Sequence, residues 1–183
     1  MPNLHEINGL RSTNARTSRV PQLPIRIRPI RPSDAPALAA GFEALSESSR
    51  YLRFHSGMRR LSDGLLRYLT EVDGVDHVAL VALAPDGHGI GVGRFVRDRN
   101  APDTAEIALT VADEVQGRGV GRRLLAQLAA AAETRGIRMF TARVISGNSR
   151  ARRMLLGFGA VAAGTVSDVM AFNLPVHPLA LAA

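Results

Sequence analysis

The 183-residue chain contains no cysteine, no lysine and no tryptophan, and only 4% of its residues are aromatic. The absence of cysteine excludes a disulfide framework, a zinc ribbon and a cysteine nucleophile. Few aromatic side chains means no stacking platform for bases, which disfavours nucleic-acid binding. No apolar run approaches the roughly 18 residues that a membrane span needs, and the N-terminus lacks the apolar core of a signal peptide. We therefore expect a cytoplasmic protein with no membrane partner.

Charge is distributed unevenly along the chain. All 23 basic residues are arginines, and the formal net charge is +7. Residues 1–31 hold six arginines and one glutamate, a net +5, and residues 115–153 hold nine arginines and one glutamate, a net +8. The rest of the chain therefore carries −6. Such an acidic body with two basic segments differs from the continuous basic surface of a nucleic-acid-binding protein, and it suits an amine-bearing partner.

Length and composition predict a single globular domain, since domains commonly span roughly 100–200 residues and 46% of this chain is hydrophobic. Residues 1–23 are polar and show no apolar period, which predicts a flexible basic arm. The domain is expected over residues 24–175, followed by a C-terminal tail over 176–183. The sequence leaves open whether the protein is a monomer or a homodimer.

Hydrophobic periodicity and turn residues predict a mixed α/β order. Strands are expected at 25–30, 77–84, 90–97, 105–111, 139–145 and 166–174. Five helices are expected. The first begins at 32–34 with Ser33 as its cap, the second spans 47–54, and the third runs from the Ser62-Asp63 cap to 71. The fourth runs from a glycine-rich turn to Arg135 with Gly136 as its C-cap, and the fifth spans 148–156.

The glycine-rich turn Gln116-Gly117-Arg118-Gly119-Val120-Gly121-Arg122 connects a predicted strand to a predicted helix. Glycine lets the backbone approach a ligand closely, and the N–H groups at a helix start favour an anion. The arginines add charge-assisted donors, so the turn predicts a pyrophosphate site. A P-loop is excluded because there is no lysine, and the meandering strands before the turn do not fit a Rossmann fold.

Through Gln116, Gly119 and Gly121 the turn resembles the Gln/Arg-x-x-Gly-x-Gly/Ala signature of the GNAT superfamily of acyl-CoA-dependent N-acetyltransferases. The resemblance covers roughly residues 25–174 and includes the element order. It implies a single domain with a mixed, mostly antiparallel central sheet and flanking helices, and acetyl-CoA as cosubstrate. It also implies that the backbone of the turn binds the CoA pyrophosphate. The strand residues Leu109, Thr110 and Val111 would hydrogen-bond the pantetheine and position the acetyl carbonyl.

A second landmark of that family, Asn-x-x-Ala followed by a glycine, matches Asn148, Ala151 and Gly159. The resemblance implies that Asn148 hydrogen-bonds near the pantetheine or the reaction centre. Family members often carry a tyrosine four residues after the alanine, as proton donor to the leaving thiolate. This chain has Leu155 there, so the group that protonates the thiolate stays unidentified.

Glu106 is the predicted general base. Attack on a thioester needs one, because a protonated amine with a pKa of about 10.4 is not nucleophilic. In a strand Glu106, Ala108 and Thr110 share one face, and a carboxylate there that is partly withdrawn from water would have a raised pKa suited to accept a proton. The alternative is an edge-strand surface glutamate with no role.

Two segments, Leu45–Phe54 and Ala105–Leu109, resemble the catalytic domain of bacterial Pat-type protein lysine acetyltransferases. The likeness implies a protein lysine side chain as the acceptor. The sequence therefore predicts direct acetyl transfer from acetyl-CoA to a primary amine. A small-molecule amine acetyltransferase and a non-catalytic acyl-CoA-binding sensor remain as alternatives. No cluster of His, Asp and Glu, including His55 and His77, has metal-ligand spacing, so no metal is predicted.

Overall fold

The computed structural model describes residues 24–54 and 57–177. The predicted arm at 1–23, His55 and residues 178–183 of the predicted tail lie outside the described residues. The helices are α1 (Ala35–Ala44), α2 (Glu47–Phe54), α3 (Asp63–Thr70), α4 (Val120–Glu133) and α5 (Ser149–Gly157), with short 3₁₀ turns at Pro32–Asp34 and Asp113–Val115. The strands are β1 (Arg26–Pro29), β2 (His77–Leu83), β3 (Gly89–Arg97), β4 (Thr104–Val111), β5 (Met139–Ile145), β6 (Val161–Val166) and β7 (Val169–Pro175).

The seven strands form one sheet in the order β1-β2-β3-β4-β5-β7-β6. Every neighbouring pair is antiparallel except β4 and β5, which run parallel. The predicted mixed, mostly antiparallel α/β class is therefore confirmed. The α4 helix follows β4 and leads into β5, so it provides the crossover that a parallel pair requires.

The last strand, predicted at 166–174, corresponds to β7 with an N-terminal bound three residues too early, and β6 was not predicted. Two strands occupy this region, and Val166 pairs with Val169 across a tight turn. Ser167 adopts φ +55 in that turn. Ser-Asp lacks the Asn-Gly or Gly signal that marks most two-residue hairpins, and β6 is exposed along its whole length, so it carries no alternating apolar pattern.

Two of the predicted helix caps, Ser33 and Gly136, can be compared with the structure. The expectation that Ser33 caps the first helix is wrong: Asp34 is the N-cap residue of α1 and makes no side-chain capping hydrogen bond to it. Its carboxylate instead accepts the Arg31 N–H at 2.8 Å and closes the preceding 3₁₀ turn. Gly136 ends α4 as predicted, at φ +73, and the Ile137 N–H donates to the Ala132 carbonyl at 3.1 Å. This closing pattern needs a left-handed residue, which glycine adopts without strain.

One face of the sheet packs against α4 through a cluster that includes Phe95, Leu124, Leu128 and Phe140. Glycines in β3 allow the close approach, since a Cβ added at Gly93 would lie 2.9 Å from Leu128 Cδ1. A second, smaller cluster of buried apolar side chains lies among α1–α3: Phe42, Leu45, Leu61 and Leu69. Because side chains alternate along a strand, β3 residues next to these glycines face the α1–α3 side.

Val176, assigned to the tail by the sequence analysis, is 1% exposed and packs into the main core. Its N–H donates to the Arg138 carbonyl at 3.0 Å, so the packed chain continues at least one residue past the predicted boundary. None of the helices in the described part of the chain has the length and apolar character needed to cross a membrane.

Candidate active site

The parallel strands β4 and β5 pair over their first residues and then diverge, which leaves a fork-shaped gap in the sheet. The pairing runs from Thr104 opposite Met139 to Glu106 opposite Thr141, and no pairing continues beyond that point. The second half of β4 therefore pairs only with β3, up to Val111 opposite Gly91. On the β5 side the Val111 carbonyl accepts from Gln116 Nε2, and the other backbone N–H and C=O groups are left open to a ligand. Such strongly polar groups require partners.

A cleft of about 980 Å³ fills this fork. It is bounded by the two separated strands, the end of α2, the start of α5 and the β6–β7 hairpin. Its wall includes Glu106, Ile107, Ala108 and Leu109 from β4, Ala142, Arg143 and Val144 from β5, and Asn148, Ala151, Met154 and Leu155 around α5. The volume is at the upper end of the roughly 300–1,000 Å³ of small-molecule sites. We call this space the split-strand cleft.

Glu106 lies at the point where the two strands separate. Its carboxylate forms an ion pair with Arg143, whose Nη2 donates to both oxygens at 3.1 Å and whose Nε donates to Oε1 at 3.2 Å. The Glu106 side chain is 49% exposed, so it is less withdrawn from water than the sequence analysis assumed. The predicted base therefore faces the cleft entrance with its orientation fixed by a guanidinium.

The glycine-rich turn precedes α4 in the predicted way. Gly117 and Gly119 have φ angles of +81 and +85, in the left-handed region, and a Cβ at either would meet no atom within 4 Å. Their requirement for glycine is thus conformational rather than steric. Gly119 is the N-cap of α4, so it has no side chain to satisfy the first N–H groups of the helix. The first turn of α4 holds arginines and no acidic residue, which suits an anion.

The turn adjoins the split-strand cleft through Gly121. A Cβ added there would lie 3.4 Å from Met154 Sδ and 3.7 Å from Val111 Cγ2, and Met154 lines the cleft. Val120, the first residue of α4, is buried. The start of α4 therefore lies next to the open edge of β4 and the cleft.

The side chain of Gln116 holds the turn in place. Its Nε2 donates to the Val111 carbonyl at 3.1 Å and to Asp113 Oδ1 at 2.9 Å, and its Oε1 accepts a hydrogen bond from Arg150. Asp113 also accepts from the Ser46 N–H at 2.7 Å and from Ser49 Oγ at 2.5 Å. The network joins the turn to α2 and α5.

The basic side chains near the turn have different environments. Arg118 is exposed, whereas the Arg122 guanidinium stacks over the Phe158 ring at 4.4 Å from its centroid. On α5, Arg152 donates to the Ser146 carbonyl at 2.9 Å, and Arg153 is exposed. Arg118 and Arg153 are therefore open to a ligand, whereas the Arg122 and Arg152 guanidinium groups also contact other groups of the chain.

The Asn148 landmark has a structural explanation. Asn148 is the N-cap of α5, and its Oδ1 accepts the Ala151 N–H at 3.0 Å while both residues line the cleft. Gly159, at φ +86, terminates the same helix, and the Ala160 N–H donates to the Leu155 carbonyl at 3.0 Å. Leu155 is buried in the cleft wall where a tyrosine is common in the family it resembles.

The three strand residues predicted to contact the cosubstrate separate in space. Leu109 lines the split-strand cleft, together with Ala108, which the sequence analysis did not select. Thr110 points to the other face and lines a different cavity, and Val111 contacts the start of α4. Backbone contacts by the strand are compatible with this placement, since they do not depend on side-chain direction.

Sequence reasoning missed Arg53 and Arg143. Arg143 is found only when the register of β4 against β5 is known, and no local pattern fixes that register. Arg53 is on α2 and lines the cleft beside Phe54. In the described residues, no group of three or more His, Asp or Glu side chains could hold a metal ion.

A profile of the Acetyltransferase (GNAT) family matches residues 40–159. The chain is similar to Acetyltransferase Pat of Mycolicibacterium smegmatis, with 39% identity over 110 residues, which is 58% of this chain and 32% of that protein. It is also similar to Acetyltransferase PA5475 of Pseudomonas aeruginosa, with 31% identity over 111 residues, 59% of each chain. The chain thus spans about a third and about three fifths of the length of these curated relatives.

Among solved structures, the GNAT domain of S. lividans PAT superposes on this chain with a TM-score of 0.78. The two are 33% identical, and the superposition covers 82% of this chain and 90% of that one.

Proposed function

The chain belongs to the GNAT acetyltransferase family, and we propose that it transfers an acetyl group from acetyl-CoA directly to a primary amine, with a protein lysine as the acceptor. One observation carries the proposal. Glu106 lies where β4 and β5 separate, beside the open backbone edge of β4, which lies next to the arginine-flanked start of α4.

Acetyl-CoA would supply the thioester, and the chain provides places for its parts. The backbone of Gln116–Gly121 and the N–H groups at the start of α4 would bind the pyrophosphate, with Arg118 as an additional donor. The backbone N–H and C=O of Leu109 and the N–H of Val111, which point away from β3, would bind the pantetheine amides along the open edge of β4. Main-chain N–H donors fixed in this edge would also stabilise negative charge that develops on the carbonyl oxygen.

Glu106 would take the proton that the attacking amine must lose, directly or through one water. Arg143 contacts both carboxylate oxygens, but a carboxylate has roughly four lone-pair sites, so positions remain for an amine N–H. The exposure of Glu106 at the cleft entrance allows a side chain of another protein to reach it from solvent.

Two observations support a protein lysine as the acceptor. The chain is similar to proteins named Pat, and the sequence outside its two basic segments carries −6, which attracts cationic side chains. A second candidate is a small-molecule amine. A separate cavity of about 490 Å³ shares Arg53 and Phe54 with the split-strand cleft, so a small acceptor would have a place beside the reaction centre.

The test measures thiol release from acetyl-CoA with lysine-containing proteins, lysine peptides and free amines as acceptors. Because the chain contains no lysine, acetyl-lysine detected on added proteins cannot be confused with lysine autoacetylation. Glu106→Gln is expected to lower kcat by roughly 100–10,000-fold, the usual contribution of a general base. Glu133→Gln, at the far end of α4, is the matched control and should retain activity.

Three outcomes would change this interpretation. Undiminished turnover by Glu106→Gln would remove Glu106 from the chemistry. Faster acetylation of free amines than of any protein would favour the small-molecule acceptor. Tight CoA binding with no turnover on any amine would favour an acyl-CoA-binding sensor.

A further inference from the structure

A second cavity, of about 490 Å³, lies between α1–α3 and the sheet face opposite α4. Its walls are largely apolar: Ile30, Leu38, Phe42, Leu45, Phe54, Leu61, Leu69, Val81, Ile90 and Val92 contribute. We call it the apolar cavity. Its volume falls in the roughly 300–1,000 Å³ range of small-molecule sites, which also combine apolar walls with a few polar groups.

Two guanidinium groups interrupt these apolar walls. Arg94 projects from the middle of β3 and is 5% exposed, and its Nη1 and Nη2 both donate to the Leu69 carbonyl at 3.2 Å. Arg53, from α2, lies with its guanidinium carbon 4.7 Å from the centroid of the Phe54 ring. Both arginines line the cavity. A charged side chain inside a strand that packs on both faces requires an explanation, because burial of a charge is costly.

No carboxylate neutralises this pair within residues 24–54 and 57–177, since neither Arg53 nor Arg94 takes part in an ion pair there. Desolvation, followed by repulsion from Arg53, lowers the pKa of Arg94 to about 10. Desolvation also lowers the pKa of Arg53, against the attraction of Glu106. The positive charge of Arg53 therefore acts on Arg94, and both cations line the same apolar space.

The other charged groups on the cavity wall have partners or lie elsewhere on it. Arg28 and Asp34 neutralise each other at 2.7 Å. Asp113 is hydrogen-bonded to Ser46 and Ser49, and the exposed Glu114 follows it at the edge. Glu106, which attracts Arg53 from the cleft side, is ion-paired with Arg143. Arg53 and Arg94 thus remain as two lining cations with no carboxylate partner among the described residues.

We infer that the apolar cavity binds an apolar ligand that ends in a carboxylate, with that carboxylate held between Arg53 and Arg94. The planar guanidinium fork matches the two oxygens of a carboxylate, and the aliphatic and aromatic walls match an uncharged chain. Occupation would supply the anion that the two arginines lack. It would replace repulsion between the arginines with two charge-assisted contacts.

The carboxylate could reach the cavity from two kinds of molecule. Arg53 and Phe54 line both the apolar cavity and the split-strand cleft, so the two spaces share a wall next to Glu106. An acyl group with a terminal carboxylate, or an amine acceptor that carries one, would place its carboxylate on the cavity side of Arg53. Only this connection to catalysis rests on the proposed function, since binding of a carboxylate does not require acetyl transfer.

The primary test is calorimetric binding of hexanoate and of hexanamide to the full chain. Hexanoate is expected to bind at least tenfold more tightly than hexanamide, and Arg53→Gln should remove at least that factor. Arg53→Lys, which keeps the positive charge but loses the two parallel N–H donors of the guanidinium, should retain intermediate affinity. Arg67→Gln, which removes an exposed arginine of α3 outside the cavity, should bind as the unmodified protein does. Thermal melts of each variant verify folding.

Equal binding of hexanoate and hexanamide, or no binding of hexanoate to the folded protein, would overturn the inference. So would an undiminished hexanoate affinity in Arg53→Gln.

Two kinetic comparisons then identify the source of the carboxylate. Preference for succinyl-CoA over butyryl-CoA, lost in Arg53→Gln, assigns it to the acyl group. Preference for 6-aminohexanoate over hexylamine with acetyl-CoA, lost in the same variant, assigns it to the acceptor. If hexanoate binds through Arg53 but no amine is acetylated, the proposed function fails and the carboxylate site stands. If acetylation proceeds and hexanoate does not bind, the carboxylate site is refuted and the proposed function stands.

Discussion

Arg143 donates to both carboxylate oxygens of Glu106 at 3.1 Å, across the point where β4 and β5 separate. The pair is solvent-exposed, with 66% of the Arg143 side chain and 49% of the Glu106 side chain accessible. Exposed pairs contribute only about 0–1 kcal/mol to stability. The Glu106–Arg143 ion pair instead matters for the orientation of Glu106, because the guanidinium fixes the plane of the carboxylate that faces the cleft.

Replacement of Arg143 by glutamine should therefore lower kcat without changing the melting temperature. Misplacement of a catalytic group by about 1 Å can cost on the order of a hundredfold in rate, so we expect a decrease of roughly 10–100-fold. Steady-state kinetics and thermal melts on the same preparation measure both quantities.

The double variant Arg143→Gln/Glu106→Gln provides the control for this assignment. If Arg143 acts through Glu106, the double variant should be no slower than Glu106→Gln alone, since the two effects are coupled. Additive losses in kcat would show instead that Arg143 contacts the substrate or the protein acceptor independently.

The turn residues give a second prediction, because two glycines of the same turn have different requirements. Gly119 has φ +85 and open space around it, whereas Gly121 has an ordinary φ and a Cβ would lie 3.4 Å from Met154 Sδ. Left-handed backbone costs an L-residue roughly 1–2 kcal/mol, and a methionine side chain moves readily. Gly119→Ala should therefore weaken acetyl-CoA binding much more than Gly121→Ala, as measured by calorimetry. The reverse order would show that close approach, and not torsion, determines the turn.

Much of the fold was predictable from local signals. Gly136 and the Ser62 cap mark helix ends, and α2 and β5 have the predicted bounds, because caps and amphipathic periods are properties of short segments. The strand β6 was missed because all of its residues are exposed, which leaves no apolar alternation to read. Local reasoning also could not reveal that β4 and β5 stop pairing after Glu106.

The candidate site was predictable in part for the same reason. The glycine-rich turn and Asn148 depend on contiguous motifs, and the structure gives each a definite backbone role. Arg143 faces Glu106 only through the register of two strands separated by a helix, and Arg53 meets Arg94 only through packing of α2 on the sheet. Such relationships depend on tertiary structure, and charged residues in an arginine-rich chain give no local sign of them.

The contacts of Asp113 predict a link between the turn and α2. Burial raises the pKa of the Asp113 carboxyl, but hydrogen bonds from the Ser46 N–H and Ser49 Oγ and the charge of Arg150 outweigh this and lower it overall. Asp113→Ala removes the carboxylate that accepts hydrogen bonds from both α2 and Gln116. The glycine-rich turn of the variant is then less ordered in the free protein, and binding of acetyl-CoA must order it. We expect a several-fold higher KM for acetyl-CoA and faster hydrogen exchange at the start of α2.

Glu114→Ala is the neighbouring control for this prediction. In the described part of the chain Glu114 has no hydrogen bond to the turn, so its loss should leave both measurements unchanged. A KM for acetyl-CoA that stays constant in Asp113→Ala would mean that the turn holds its shape without α2.

The contact between His77 and Arg94 predicts how stability depends on pH. Arg94 Nη1 lies 3.1 Å from His77 Nε2, so the neutral imidazole accepts this N–H. Desolvation by burial, and next the positive charge of Arg94, lower the pKa of His77. An unfolded chain titrates histidine near pH 6.5, so below about this pH the unfolded state takes up a proton that the folded state does not. The free energy of unfolding should therefore fall as pH decreases from about 6.5, by at most roughly 1.4 kcal/mol per pH unit for this group, and the fall should end below the folded-state pKa.

Urea unfolding between pH 8 and pH 5 measures this dependence. In His77→Gln, where the side-chain carbonyl can still accept from Arg94 but cannot titrate, this part of the pH dependence should be absent. An identical pH dependence in both proteins would show that folding does not lower the pKa of His77.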